Sequence, residues 1–129
     1  MVFIKSYYVS TTEELDVVDI IHDVRFTIHD SKIVDGLAMV SLPGAEGALQ
    51  IAPQNQKEEL RKNWKDSLFV QTSVAIPFEK TELKLEPKQT LFLIDANKAG
   101  KRREIFVQIL GEAPQQPQQP PAGQRRNRR

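Results

Sequence analysis

Two nearly continuous apolar runs, Leu91-Phe92-Leu93-Ile94 and Ile105-Phe106-Val107, set the first requirement on the fold. A strand with one face in water alternates apolar and polar residues, whereas a run without alternation needs cover on both faces. Around these runs the later half of the chain reads as strands at Thr72 to Phe78, Glu82 to Leu85, Thr90 to Asp95 and Glu104 to Leu110. Short turns around Lys80, Pro87 and Asn97-Lys98-Ala99-Gly100 separate them. Such connections favour an antiparallel meander, because a parallel crossover takes about a dozen residues or more.

The earlier half adds shorter elements. Phe3, Tyr7 and Val9 share one face of an alternating strand, with Lys5 among them, and Leu15 to Val18 offers a second strand. Asp19 is placed to cap a helix in which Ile20, Ile21, Val24 and Ile28 recur at helical spacing. Val24, Phe26 and Ile28 also alternate as a strand would, which keeps that alternative open. Leu37 to Leu42 is a strand that stops at Pro43-Gly44, and Ala48 to Ile51 is another. After Pro53, a polar segment carries Leu60 and Trp64 four residues apart, the thin apolar stripe of a surface helix. Two helices cannot cover all the apolar strand surface, so a second sheet or a neighbouring subunit must supply the rest. The class is α+β with β dominant.

There is no cysteine among the 129 residues, which removes disulfide frameworks, thiolate nucleophiles, zinc ribbons and iron-sulfur clusters. The start, MVFIKSYYVSTTEEL, lacks the basic segment and apolar run of a secretory signal, and no run approaches the roughly 18 apolar residues of a membrane span. The expectation is a cytoplasmic protein with no membrane partner. The net charge of +1 conceals a division: up to Glu112 the chain holds 14 basic and 17 acidic residues, net −3, and the remainder holds four arginines, net +4. A net-acidic body argues against a general nucleic-acid-binding surface. From Ala113 the composition shifts to APQQPQQPPAGQRRNRR, which cannot bury enough apolar surface to offset the entropy of ordering. Residues 1–112 are therefore read as one domain and 113–129 as a disordered Pro/Gln/Arg-rich tail.

The order of segments in 1–112 resembles a known family. Thr72-Ser73-Val74-Ala75-Ile76-Pro77, then Gln89 before an apolar strand, then Lys101-Arg102-Arg103 and Glu104-Ile105-Phe106-Val107-Gln108-Ile109-Leu110-Gly111-Glu112 look like the C-terminal half of the YjbQ-like family, the secondary thiamine-phosphate synthase proteins. Ile33-Val34-Asp35-Gly36-Leu37 with its following strand, and the polar helix at Gln54 to Lys65, fall in that family's order. The resemblance implies a small, mostly antiparallel β-sandwich with about two helices, a homotrimer, and an activity like that of thiamine-phosphate synthase. It also exposes departures. Where family members carry a His-Thr-Thr-Ala or His-Thr-Ser-Ala segment, this chain has Gly44-Ala45-Glu46-Gly47; their Asn-Glu-Asn is Ala52-Pro53-Gln54. The loop bringing their second histidine is missing, and their Gly-Thr-Trp-Gln is Glu86-Pro87-Lys88-Gln89. A site using those histidines cannot operate here.

The candidate site residues follow. Lys101, Arg102 and Arg103 could hold a phosphate or carboxylate, with Gln89 retained from the family pattern; strand-edge charge that discourages aggregation is the competing reading. Glu46 is the sole catalytic candidate, as a general base if it faces a cleft, against the plainer reading of a solvated turn residue. His22 and His29, two helical turns and about 11 Å apart, read as surface histidines and not as metal ligands. Neither a GxGxxG nor a GxxxxGK[ST] segment occurs, and no metal or cofactor is expected. Arg125, Arg126, Arg128 and Arg129 could attract nucleic acid weakly and nonspecifically. Three functions are weighed. The leading one is an oligomeric YjbQ-like domain with a degenerate histidine site, acting as a binding or assembly module and taking a phosphate-bearing small ligand. The alternatives are a thiamine-phosphate-synthase-like enzyme with a remodelled site, and a nucleic-acid accessory protein using the arginine tail.

Overall fold

Asp19 ends the second strand and opens the first helix, so the fold is most simply followed from there. Its Oδ1 accepts the Ile21 backbone N–H at 3.0 Å and the Thr90 hydroxyl at 2.6 Å, which ties the helix start to a strand seventy-one residues away. In this computed structural model the described residues are 1–11, 16–44, 47–63, 71–96 and 102–112. They form β1 (Val2–Ser10), β2 (Asp16–Asp19), α1 (Ile21–Ser31), β3 (Asp35–Ser41), β4 (Gly47–Pro53), a 3-10 turn (Gln54–Gln56), α2 (Lys57–Asn63), β5 (Ser73–Glu79), β6 (Glu82–Leu83), β7 (Gln89–Asp95) and β8 (Arg102–Glu112).

Two antiparallel sheets result. The larger has the order β1-β8-β3-β5-β6 and the smaller β2-β7-β4. The main core lies between them: Val9, Ile105, Val107, Ile109, Ala38, Val40, Val74, Ile76 and Phe78 of the larger sheet meet Leu49, Leu91 and Leu93 of the smaller. Ile21, Val24 and Ile28 of α1 join the same core, so the 24–28 segment is helical and its alternation incidental; Phe26 points outward. A second, smaller cluster sits on the far side of the three-stranded sheet, where Val17, Ala48, Ala52, Phe92 and Ile94 pack under Leu60 of α2. The run Leu91 to Ile94 is thus buried on both faces, as its lack of alternation requires. Trp64 lies outside the described residues.

Ile105 to Val107 behaves differently. Ile105 and Val107 are fully buried, but Phe106 is 36% exposed, because no layer among the described residues lies over the outer face of the five-stranded sheet. Val2, Ile4 and Tyr8 of β1 are more than half exposed on that face. The register sets them across from Leu110, Gln108 and Glu104 of β8, with Leu37 and Met39 of β3 continuing the row and Ala75 and Pro77 of β5 ending it. Where β3 and β8 cross closely, Gly36 stands opposite Gly111. A Cβ on Gly36 would lie 1.9 Å from the Leu110 carbonyl oxygen, and one on Gly111 2.2 Å from that of Asp35.

Candidate functional site

Arg102 and Arg103, expected before the last strand, belong to it. Because β8 begins at Arg102 and not at Glu104, its two arginines obey the two-residue pleat and leave the sheet on opposite faces. Arg102 goes outward, with its guanidinium carbon 4.1 Å above the Tyr8 ring centroid. Arg103 goes inward and is buried, its Nε 3.8 Å from Oδ2 of Asp95, with side-chain exposures of 5% and 0%. The Thr11 hydroxyl donates to the same Asp95 oxygen at 2.5 Å.

The Arg103 guanidinium also shapes the connection from β3 to β4. Gly44 adopts φ +101°, a conformation that favours glycine, and a Cβ there would lie 3.7 Å from Nη1. At Gly47 a Cβ would fall 2.1 Å from Nη2. The missing side chain at Gly47 is therefore what gives the buried guanidinium its room, while Gly44 is required by its backbone conformation. A cavity of about 340 Å³ opens alongside, lined by Pro43, Gly44, Arg102, Arg103 and Glu104. Arg102 contributes an outward fork suited to a carboxylate or phosphate, and Glu104 narrows the choice of anion by its own charge.

The other candidates separate from this place. Gln89 begins β7 and Asp95 ends it, so about 20 Å of strand lies between Gln89 and the carboxylate that meets Arg103. Gln89 serves its own turn, accepting the Glu86 N–H through Oε1 at 3.0 Å. Lys101, Glu46 and the tail residues Arg125, Arg126, Arg128 and Arg129 lie outside the described residues. His22 and His29 are exposed on α1, and no group of three or more His, Cys, Asp or Glu side chains gathers among the described residues. No helix among them is long and apolar enough to cross a membrane. Burial holds the Asp23 carboxyl above its ordinary range, with the neighbouring His22 pulling the other way. Sequence reasoning passed over Asp95 and Thr11, although Asp95 continues the inward parity of Leu91 and Leu93.

No family model matches the sequence, and no curated protein matches it either. Solved structures do. A YbjQ-like protein of unknown function from Sulfolobus solfataricus P2 is 20% identical, with a TM-score of 0.78 over 87% of this chain and 99% of its own. A hypothetical protein from Aeropyrum pernix K1 gives 18%, 0.75, 85% and 99% for the same quantities. An uncharacterised conserved protein of the YjbQ/UPF0047 family from Clostridium acetobutylicum gives 19%, 0.72, 82% and 99%. The chain has the YjbQ-like fold.

Proposed function

We propose that this chain is a YjbQ-like self-assembling binding module. Copies associate through the outer face of the five-stranded sheet, and the cavity beside Arg102, at one end of that face, takes a phosphate-bearing small ligand. One observation carries the reading: Val2, Ile4, Tyr8 and Phe106 stand exposed on a regular sheet face whose opposite side is the core. A contiguous apolar face of this kind is characteristic of an interface, and a symmetric homo-oligomer buries it without adding a new element. The resemblance to YjbQ-like proteins supports a trimer as the form of that assembly. The replaced histidine segments support binding without turnover.

The test is light scattering coupled to size exclusion. The wild type is expected at three times the 14.7 kDa protomer, and Ile4→Glu/Phe106→Glu at the protomer mass with an unchanged far-UV spectrum. A monomeric wild type overturns the assembly, and equal phosphomonoester affinity in wild type and Arg102→Gln overturns the ligand assignment.

A further inference from the structure

The five-stranded sheet has two edges, and they differ. One is β6, only Glu82 and Leu83 long and carrying a charge. The other is β1, nine residues from Val2 to Ser10 with no proline, no glycine and no break in its register against β8. Edge strands are commonly kept short, bulged or charged, because their free N–H and C=O groups template another strand. The direction of those groups in β1 follows from one bond. The Gly111 N–H donates to the Met1 carbonyl at 3.2 Å, and opposed residues of an antiparallel ladder alternate between exchanging hydrogen bonds and not. Phe3, Lys5, Tyr7 and Val9 therefore direct theirs to β8, while Val2, Ile4, Ser6, Tyr8 and Ser10 aim theirs away from the sheet. Among the described residues no strand and no backbone hydrogen bond occupies that edge.

The helix α1 overhangs the same edge. The Tyr7 and Thr27 hydroxyls hydrogen-bond at 2.7 Å, and Lys5 Nζ lies 3.5 Å from Oδ2 of Asp30 and 4.6 Å from the Phe26 ring centroid. At about 100° per residue around the helix, Thr27 follows the core-facing Val24 and Ile28, and Asp30 and Phe26 lie beyond Thr27. Phe26 thus stands past β1 on the side away from β8, where it is 55% exposed. A strand added about 4.8 Å outside β1 runs beneath that flank.

We infer that the open edge of β1 pairs with the same edge of a second copy, antiparallel about a two-fold axis at Ser6, so that two five-stranded sheets become one. Inward and outward faces must both be kept, which allows only registers that pair inward residues with inward ones. Pairing about Lys5 sets two ammonium groups directly opposite each other, which is unfavourable. Pairing about Ser6 uses all of β1: Val2 meets Ser10, Ile4 meets Tyr8, Phe3 meets Val9, and Lys5 meets Tyr7, the ring type it already approaches at 5.6 Å within its own chain. The outward residues then form the hydrogen-bonded pairs, about ten bonds in all, and the second copy's inward row comes alongside Phe26. The contact is isologous, each copy giving what it receives. It is made by backbone groups in the plane of the sheet and by the flank of α1, so it does not rest on association through the outer face. So narrow a contact is weak, with a Kd of about 100 µM.

Sedimentation velocity of the full chain from about 10 µM to about 500 µM tests it. The mass of the wild type is expected to double over that range, whatever it is at the lower end, and the mass of Ser6→Pro to stay constant. Proline at position 6 removes an N–H that points to the open edge and no bond to β8, a place where edge strands accept it. Amide hydrogen exchange in Ile4→Glu/Phe106→Glu, which lacks the face association, gives a second reading that needs no proline. Exchange at Ser6 and Tyr8 should slow by about 10-fold or more at the higher concentration, with Lys5 and Tyr7 protected at both. A mass that does not double overturns the inference, as does doubling that survives in Ser6→Pro. Fast exchange at Ser6 and Tyr8 at both concentrations overturns it too, and does so without touching the face assembly.

Discussion

Arg103→Met should be among the most damaging single changes in the chain. The side chain is 5% exposed and its partner Asp95 is 0% exposed, so solvent screens the pair little and the attraction at 3.8 Å is on the order of 4 kcal/mol at an effective dielectric constant near 20. That attraction largely offsets the cost of taking two charges out of water, and neither term is visible until one partner is removed. Methionine fills much of the arginine volume, yet it leaves the Asp95 carboxylate buried without the guanidinium charge, the Thr11 hydroxyl still donating to it. The expected loss is about 3–5 kcal/mol, out of a stability of about 5–15 kcal/mol for a domain of this size. Asp95→Asn removes the opposite charge from beside the buried guanidinium in the same way. The double variant removes both charges and should recover part of the loss, with a coupling of about 2–3 kcal/mol. Urea unfolding followed by far-UV circular dichroism at pH 7 measures all four proteins. Single losses below about 1 kcal/mol that simply add in the double variant would refute the buried pair as a coupled unit.

Gly36→Ala should cost about 3 kcal/mol or more, since its Cβ would meet the Leu110 carbonyl oxygen at 1.9 Å and the backbone itself must move; a loss below about 1 kcal/mol in the same urea assay contradicts the close crossing of β3 and β8. Gly47→Ala should be milder, about 1–3 kcal/mol, because the far end of the Arg103 side chain can shift, and its cost should vanish in the Arg103→Met background if that contact is the cause. Asp23 has a folded-state pKa above its ordinary 3.8, so its contribution to stability is full below that value and is lost as pH rises through the raised one. Asp23→Asn should therefore gain in melting temperature relative to wild type between pH 3 and pH 7; a difference that shrinks over that interval contradicts burial as the dominant cause.

Much of the framework was legible because alternation maps directly onto faces. Phe3, Tyr7 and Val9 do point inward on β1, and Lys5 follows them because its ammonium group lies 4.6 Å from the Phe26 ring centroid and 3.5 Å from Asp30. Local pattern overreached where hydrogen bonds and not side chains decide the end of an element. The expected strand from Glu82 to Leu85 stops at Leu83, since the Lys84 N–H turns back to the Pro77 carbonyl and the Leu85 N–H to that of Leu83. Leu85 still packs on the core from outside the ladder.

The candidate site was harder to read, for a geometric reason. Arg102 and Arg103 look like one basic patch only while they are taken as a turn; once the strand is extended to Arg102, the pleat alone separates them into an outward ligand-facing fork and an inward charge. The same parity applied to β7 carries Leu91 and Leu93 inward and then Asp95, so both strands end their buried faces on a charge of opposite sign. Asp and Arg are mostly exposed, which makes either one alone poor evidence for burial. Together they are informative, because two inward-facing strands of one core that each end on a charge of opposite sign bring those charges within reach of each other. Gly47 completes that inference: it opens β4, sits opposite Asp95 in the register, and its missing side chain is the space the Arg103 guanidinium uses.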